Sequence, residues 1–179
     1  GRKTDGPHQP HHQPSRHTLM DDILHIRATL EADDADVAAA MSVMTPAFPP
    51  EYGEAWSWPQ LSSMMRLPGS ILVLGRVAET PVGFGLLRSL VGEAELLLLA
   101  VHPDFRGRSH GRRLLDRCMT EAEGTSAQSM FLEVRAGNPA IHLYSKAGFR
   151  QYNVRRDYYI GSNGDRYDAL SFKIILGQD

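Results

Sequence analysis

Between Ser70 and Val101 the chain carries three apolar runs, Ser70–Val77, Val82–Leu90 and Glu95–Val101, parted only by Ala78-Glu79-Thr80-Pro81 and by a turn at Gly92. Parallel neighbours need a crossover of a dozen residues or more, so connections this short admit only an antiparallel meander. A sheet is imposed on the middle of the chain, and the flanking segments must cover it. Ile23–Arg27 predicts a first strand and Trp56–Met65 a short helix. Asp33–Met44, acidic at its start and with an Ala, Val and Met face, predicts a helix stopped by Pro46, Pro49 and Pro50. After the meander, His110–Glu123 carries Leu114, Leu115, Cys118 and Met119 at helical spacing, and Met130–Arg135 follows as a strand. The next helix is the best delimited: Asn138 caps it, Pro139 sits where a missing N–H is tolerated, and Gly148 ends it. Phe149–Tyr159 and Tyr167–Ile175 read as two closing strands around Gly161-Ser162-Asn163-Gly164. This alternation of strands and helices is that of an α/β or α+β protein.

A length of 179 residues with 42% hydrophobic and 22% charged side chains suits one domain with a real core, placed at residues 20–179. Residues 1–18 hold His, Pro and Gln and no hydrophobic residue, which predicts a flexible polar tail over 1–19. Four of the eight histidines, His8, His11, His12 and His17, lie in that tail, where nothing fixes a ligand geometry, and no metal site is expected. A net charge of −2 argues against bulk attraction to nucleic acid or an anionic membrane, so any anion site must be local. Cys118 is the only cysteine, which excludes an intrachain disulfide and fits a reducing cytoplasm. No uncharged stretch approaches the ~18 residues of a membrane span, and no signal-like apolar run precedes the domain, so export is not expected.

The stretch Ala100–Leu115, AVHPDFRGRSHGRRLL, runs from a strand through a Gly- and Arg-containing loop directly into a helix. A helix start offers unpaired N–H groups and a positive dipole end, and Arg106, Arg108, Arg112 and Arg113 add charge suited to phosphate oxygens. No Gly-Lys-Ser/Thr follows and the glycines lack dinucleotide spacing, so neither common nucleotide loop applies. A charged helix start on a solvated surface fits the same residues. Leu132–Phe149, LEVRAGNPAIHLYSKAGF, follows some thirty residues on.

Taken together, these two motifs resemble the Gcn5-related N-acetyltransferase (GNAT) superfamily. The resemblance implies a mixed, mostly antiparallel sheet flanked by helices, and acetyl-coenzyme A as co-substrate. Arg106, Ser109 and Gly111 fall on the family's pyrophosphate-loop positions, with Ser109 where a glycine is usual. The coenzyme is implied to lie against Leu99, Val101, the loop and helix start Arg106, Gly107, Arg108, Ser109, His110, Gly111 and Arg112, and Asn138 and Tyr144. Ala47-Phe48-Pro49, Gly92-Glu93-Ala94-Glu95 and Arg155-Arg156-Asp157-Tyr158-Tyr159 followed by Asp168-Ala169 resemble bacterial ribosomal-protein alanine N-acetyltransferases of the RimI type, a likeness spanning residues 21–176. It implies a protein N-terminus as acceptor, such as that of a ribosomal protein, with a small amine or antibiotic as the alternative and a non-catalytic coenzyme-binding module as the remote one.

Acetyl transfer to an amine requires a proton acceptor for the amine and a proton donor for the departing thiolate. The resemblance implies Glu133 as the base and Tyr144 as the acid. Strand alternation puts Phe131, Glu133 and Arg135 on one face, so Glu133 could instead pair with Arg135 or a helix cap. Glu95 is a second proton acceptor or a turn carboxylate. Tyr158 and Tyr159 resemble paired tyrosines that cover the first residues of a peptide acceptor, or they pack as an aromatic strand pair. Cys118, on the apolar helix face, reads as a core filler.

Overall fold

The structure, a computed structural model, describes residues 22–177; the tail expected over 1–19 and its histidines lie outside them. The described residues form β1 (Leu24–Thr29), α1 (Asp34–Ala47), α2 (Trp58–Met65), β2 (Ser70–Val77), β3 (Thr80–Leu90), β4 (Glu93–Val101), α3 (His110–Gly124), β5 (Ser129–Arg135), α4 (Ala140–Ala147), β6 (Arg150–Ile160) and β7 (Arg166–Ile175). All seven strands share one sheet in the order β1-β2-β3-β4-β5-β7-β6. Every pairing is antiparallel except β4 with β5.

The meander closes through two-residue turns, Ala78-Glu79 and Val91-Gly92, each residue at positive φ. Such turns match the twist of paired strands, so Thr80 and Pro81 join β3 and do not extend the turn. Both sheet faces are covered, so β2 reads as one continuous apolar run. Leu72 and Leu74 pack with Phe84 and Leu86 beneath α1 and α2, whereas Ile71 and Val73 pack with Leu114, Leu115 and Cys118 of α3. Gly83 and Gly85 bring α3 close: a Cβ on either would overlap Leu114 or the Cys118 sulfur. Burial pushes the Cys118 thiol up to about 12, so it is a packing group and no nucleophile. No helix of the described residues is long and apolar enough to cross a membrane.

A capping box starts α1: the Asp36 N–H donates to Asp33 Oδ1 (2.8 Å) and the Asp33 N–H to Asp36 Oδ2 (3.1 Å). The helix does not stop at Met44 but runs through Pro46 to Ala47, and the Phe48 N–H donates to the Met44 carbonyl (3.0 Å). So near a helix end a proline forfeits only one backbone bond, while burial of Met44 and Ala47 rewards the extra turn.

The seam between β4 and β5 pairs only Glu93–Leu96 with Ser129–Leu132. Past it β4 stays bonded to β3 as far as Val101, and β5 to β7 as far as Arg135. The facing edges therefore diverge into a cleft whose walls are strand backbone.

Candidate active site

The cleft holds a cavity of about 1010 Å³, within the range of cofactor sites, bounded by Leu99 and Val101 of β4, the start of α3, and Asn138 and Leu143. Gly107 and Ser109 have φ of 77° and 63°, and this left-handed course turns the chain so that α3 begins at the cavity wall. His110, Gly111 and Arg112 of its first turn line the cavity, where helix-start N–H groups lack helical partners. A Cβ on Gly111 would meet Leu143 and Val101 at 3.5 and 3.6 Å, ordinary contact, so this position tolerates alanine. Volume, helix start and cationic lining fit an extended ligand with a diphosphate.

The four arginines of this stretch take different places. Arg106 lines the cavity but is braced, donating to the Val101 carbonyl (3.3 Å) and the Ala47 carbonyl (3.2 Å), which ties the loop to the end of α1. Arg112 lines it and pairs with Asp116 at 2.9 Å. Arg108 stands outside the lining, its guanidinium 5.4 Å from the Phe105 ring centre, because a stacked aromatic partner lies closer to hand. Arg113 also stands outside and donates to the Leu24 carbonyl of β1 (3.3 Å).

His110 is buried, and among the described residues neither ring nitrogen has a hydrogen-bond partner. Burial first, then the Arg108 and Arg113 charges, hold its pKa below the usual 6.5. The unfolded chain takes up the proton more readily than the native one. His110 therefore leaves stability intact above pH 6.5 and erodes it as pH falls through 6.5 toward the lower native value. His110→Leu is expected to raise stability by about 1 kcal/mol at neutral pH and to flatten that acid limb, read from urea melts at pH near 5.5 and 7.5.

A second cavity of about 140 Å³ opens beside the first and is lined by Glu54, Glu95, Glu133, Tyr144, Tyr158 and Tyr159, among others. The two share the wall formed by Phe48, Glu54, Leu99, Asn138 and Ala140, so occupants of the two would meet there. Glu133 pairs with Arg155 at 2.8 Å and not with Arg135. Desolvation, then the Glu133 charge, raises the pKa of Glu95. Tyr144 is buried in α4, and its pKa lies well above the ordinary value through desolvation, reinforced by Cys118, Tyr159 and Glu54, so it keeps its proton. Desolvation and the Glu54 charge act likewise on Tyr159. The tyrosine pair stacks edge to face at 5.0 Å.

Sequence reasoning misses Glu54. It lies in the connection between α1 and α2 and accepts from Arg135 Nε (2.9 Å) and Asn138 Nδ2 (3.0 Å), while Asn138 Oδ1 caps the Ala140 N–H (2.9 Å). Arg135 also lies 3.7 Å from the Tyr52 ring centre. Backbone contact fixes this connection against the β6–β7 turn: a Cβ on Gly53 would overlap the Ile160 carbonyl, one on Gly161 the Glu51 carbonyl, and the Ser162 N–H donates to Pro50 (3.0 Å). The segment that bears Glu54 is thereby held against the end of β6, just past Tyr158 and Tyr159.

Residues 37–149 match the model of the acetyltransferase (GNAT) family. The ribosomal protein bS18-alanine N-acetyltransferase of Haemophilus influenzae is 33% identical over 95 residues, covering 53% of this chain and 65% of that protein. Its Escherichia coli counterpart is 39% identical over 88 residues, covering 49% and 59%. The matched stretch thus spans about three fifths of these relatives' length. The crystal structure of the ribosomal-protein-S18-alanine N-acetyltransferase from Escherichia coli superposes with a TM-score of 0.74 at 28% identity, covering 88% of this chain and 96% of that one. The Salmonella typhimurium protein yncA, solved with acetyl-CoA, gives 0.69 at 20% identity over 88% and 96%, a likeness of fold alone.

Proposed function

The chain belongs to the acetyltransferase (GNAT) family, and from that premise we propose that it transfers the acetyl group of acetyl-coenzyme A to the N-terminal α-amine of a protein, such as a ribosomal protein. One observation carries the reading: a small cavity lined by three carboxylates shares a wall with a larger cavity at a helix start. The larger cavity takes the coenzyme, its diphosphate on the first turn of α3 and its arm along the unpaired edge of β4. Bound acetyl-coenzyme A supplies an activated acetyl group and leaves as its thiol.

The residues of the chain handle the protons. Glu133 accepts the proton of the incoming ammonium, directly or through water, and Tyr144 donates to the departing sulfur. An α-amine, with a pKa of about 7.7–8.0 against roughly 10.4 for lysine, demands little of the base. Tyr158 and Tyr159 cover the first residues of the acceptor. The buried, reduced thiol of Cys118 suits a cytoplasmic setting.

A peptide with a free small first residue is expected to be acetylated at its α-amine. The same peptide blocked there but carrying an internal lysine should react at least tenfold more slowly, since lysine needs roughly two to three further units of pKa depression. Mass spectrometry of the products decides. The acid lining of the smaller cavity also favours a second reading, a small cationic amine as acceptor, and preference for a polyamine over every peptide would establish it.

A further inference from the structure

Consecutive residues of a regular strand point to opposite faces of the sheet. Tyr158 and Tyr159 are consecutive in β6, yet both line the smaller cavity. The pairing of β6 with β7 explains how: Arg155 faces Ala169 and Tyr159 faces Tyr167, so Arg156, Asp157 and Tyr158 all stand opposite Asp168 alone. The bulge carries two extra residues, so Arg155 and Tyr159 keep one face of the sheet while the residues between them leave the regular alternation. It passes through Asp157 at φ 55°, the left-handed region that a residue with a side chain enters only at a cost.

We propose that Asp168 is a positioning residue for acceptor recognition, its carboxylate holding the β6 bulge that turns both tyrosines into the cavity. The assignment rests on the acceptor reading above. Asp168 Oδ1 accepts the Asp157 N–H at 3.0 Å, at the strained residue itself. Oδ2 accepts from Arg156 Nη1 at 3.2 Å. The backbone carbonyl of Asp168 accepts the Ala136 N–H at 2.9 Å, between Arg135 and Asn138. One residue thus ties the bulge to the turn that leads into α4, so the tyrosines keep a fixed distance from Glu133 and Asn138. Arg156 is 83% exposed, and an ion pair so open to water contributes little, which leaves the bond to the Asp157 N–H as the effective one. Asp168 stands outside the lining of both cavities and acts only through the tyrosines.

The test measures acceptor KM, kcat and acetyl-coenzyme A Kd, with amide hydrogen exchange at Asp157 in the ligand-free protein. Asp168→Ala removes a bond to a charged acceptor and should raise peptide KM and the Asp157 exchange rate each by about 10- to 100-fold, with Kd and kcat within about threefold. Adding Asp157→Gly, which enters positive φ freely, should restore most of the KM. Arg156→Ala should leave KM within about twofold. Should Asp168→Ala fail to fold, Asp168→Asn keeps a weaker neutral acceptor and should raise KM and exchange about three- to tenfold. Unchanged exchange, or a loss shared equally by peptide KM and coenzyme Kd, overturns the assignment. If the parent acetylates no amine, the functional reading fails, and exchange alone then decides the role of Asp168.

Discussion

Glu133→Gln is expected to lower turnover by about 10²–10⁴-fold while acetyl-coenzyme A binds as before. The substitution keeps shape and removes the ability to accept a proton, together with the charge that pairs with Arg155. Arg155, the partner it deserts, has a side chain 57% exposed, so water takes over its hydrogen bonds and the fold is spared. Tyr144→Phe should cost a comparable factor for the opposite reason, since it deletes the buried hydroxyl of a tyrosine that keeps its proton and lines the smaller cavity. Single-turnover measurements isolate the chemical step from product release. Near-parental single-turnover rates in both variants would remove these roles. A large loss in Glu54→Gln alone would move the base to the carboxylate at the junction of the two cavities.

Glu54→Ala should destabilise the protein by about 3–5 kcal/mol, because it leaves the Arg135 charge without its partner where both side chains are only 10% exposed. The loss is local in origin: the α1–α2 connection would be released from Arg135 and Asn138 together. Removing both charges in Glu54→Ala/Arg135→Met should recover most of that stability, since the uncompensated cation is what costs. Denaturant melts of the three proteins check this. A single variant within about 1 kcal/mol of the parent would show that the backbone contacts at Gly53 and Gly161 suffice to hold the connection.

Much of this was legible in the chain because it depends on short-range chemistry. Ser70–Val77 is a strand at the predicted bounds, and Asn138 and Gly148 delimit α4 because a cap and a left-handed terminus are written in adjacent residues. Glu133 and Tyr144 were singled out by resemblance alone, and both line the smaller cavity. The partners were not: nothing local distinguishes Glu54 from the other acidic side chains as the mate of Arg135, 81 residues away. The split of the four arginines was equally hidden, since Phe105, Leu24 and Ala47 become their partners only once α1, β1 and the loop are packed. Adjacent tyrosines sharing one cavity contradict simple alternation, and only the register of β6 on β7 reveals the bulge responsible.

The four-residue seam between β4 and β5 has a mechanical consequence. It joins a four-stranded half, in which β2, β3 and β4 are linked by local hairpins and β1 pairs across α1 and α2, to a three-stranded half in which β6 and β7 form a hairpin and β5 pairs across α4 and β6. The seam has the fewest paired residues of any junction in the sheet, and the two blocks are held together beneath it by one core cluster that joins Leu96 and Leu114 to Met130 and Phe172. The cleft proposed for the coenzyme is the continuation of that same seam. A molecule bound along it bridges both blocks, so occupancy works as mortar, suppressing their separation more than the fraying of either outer edge.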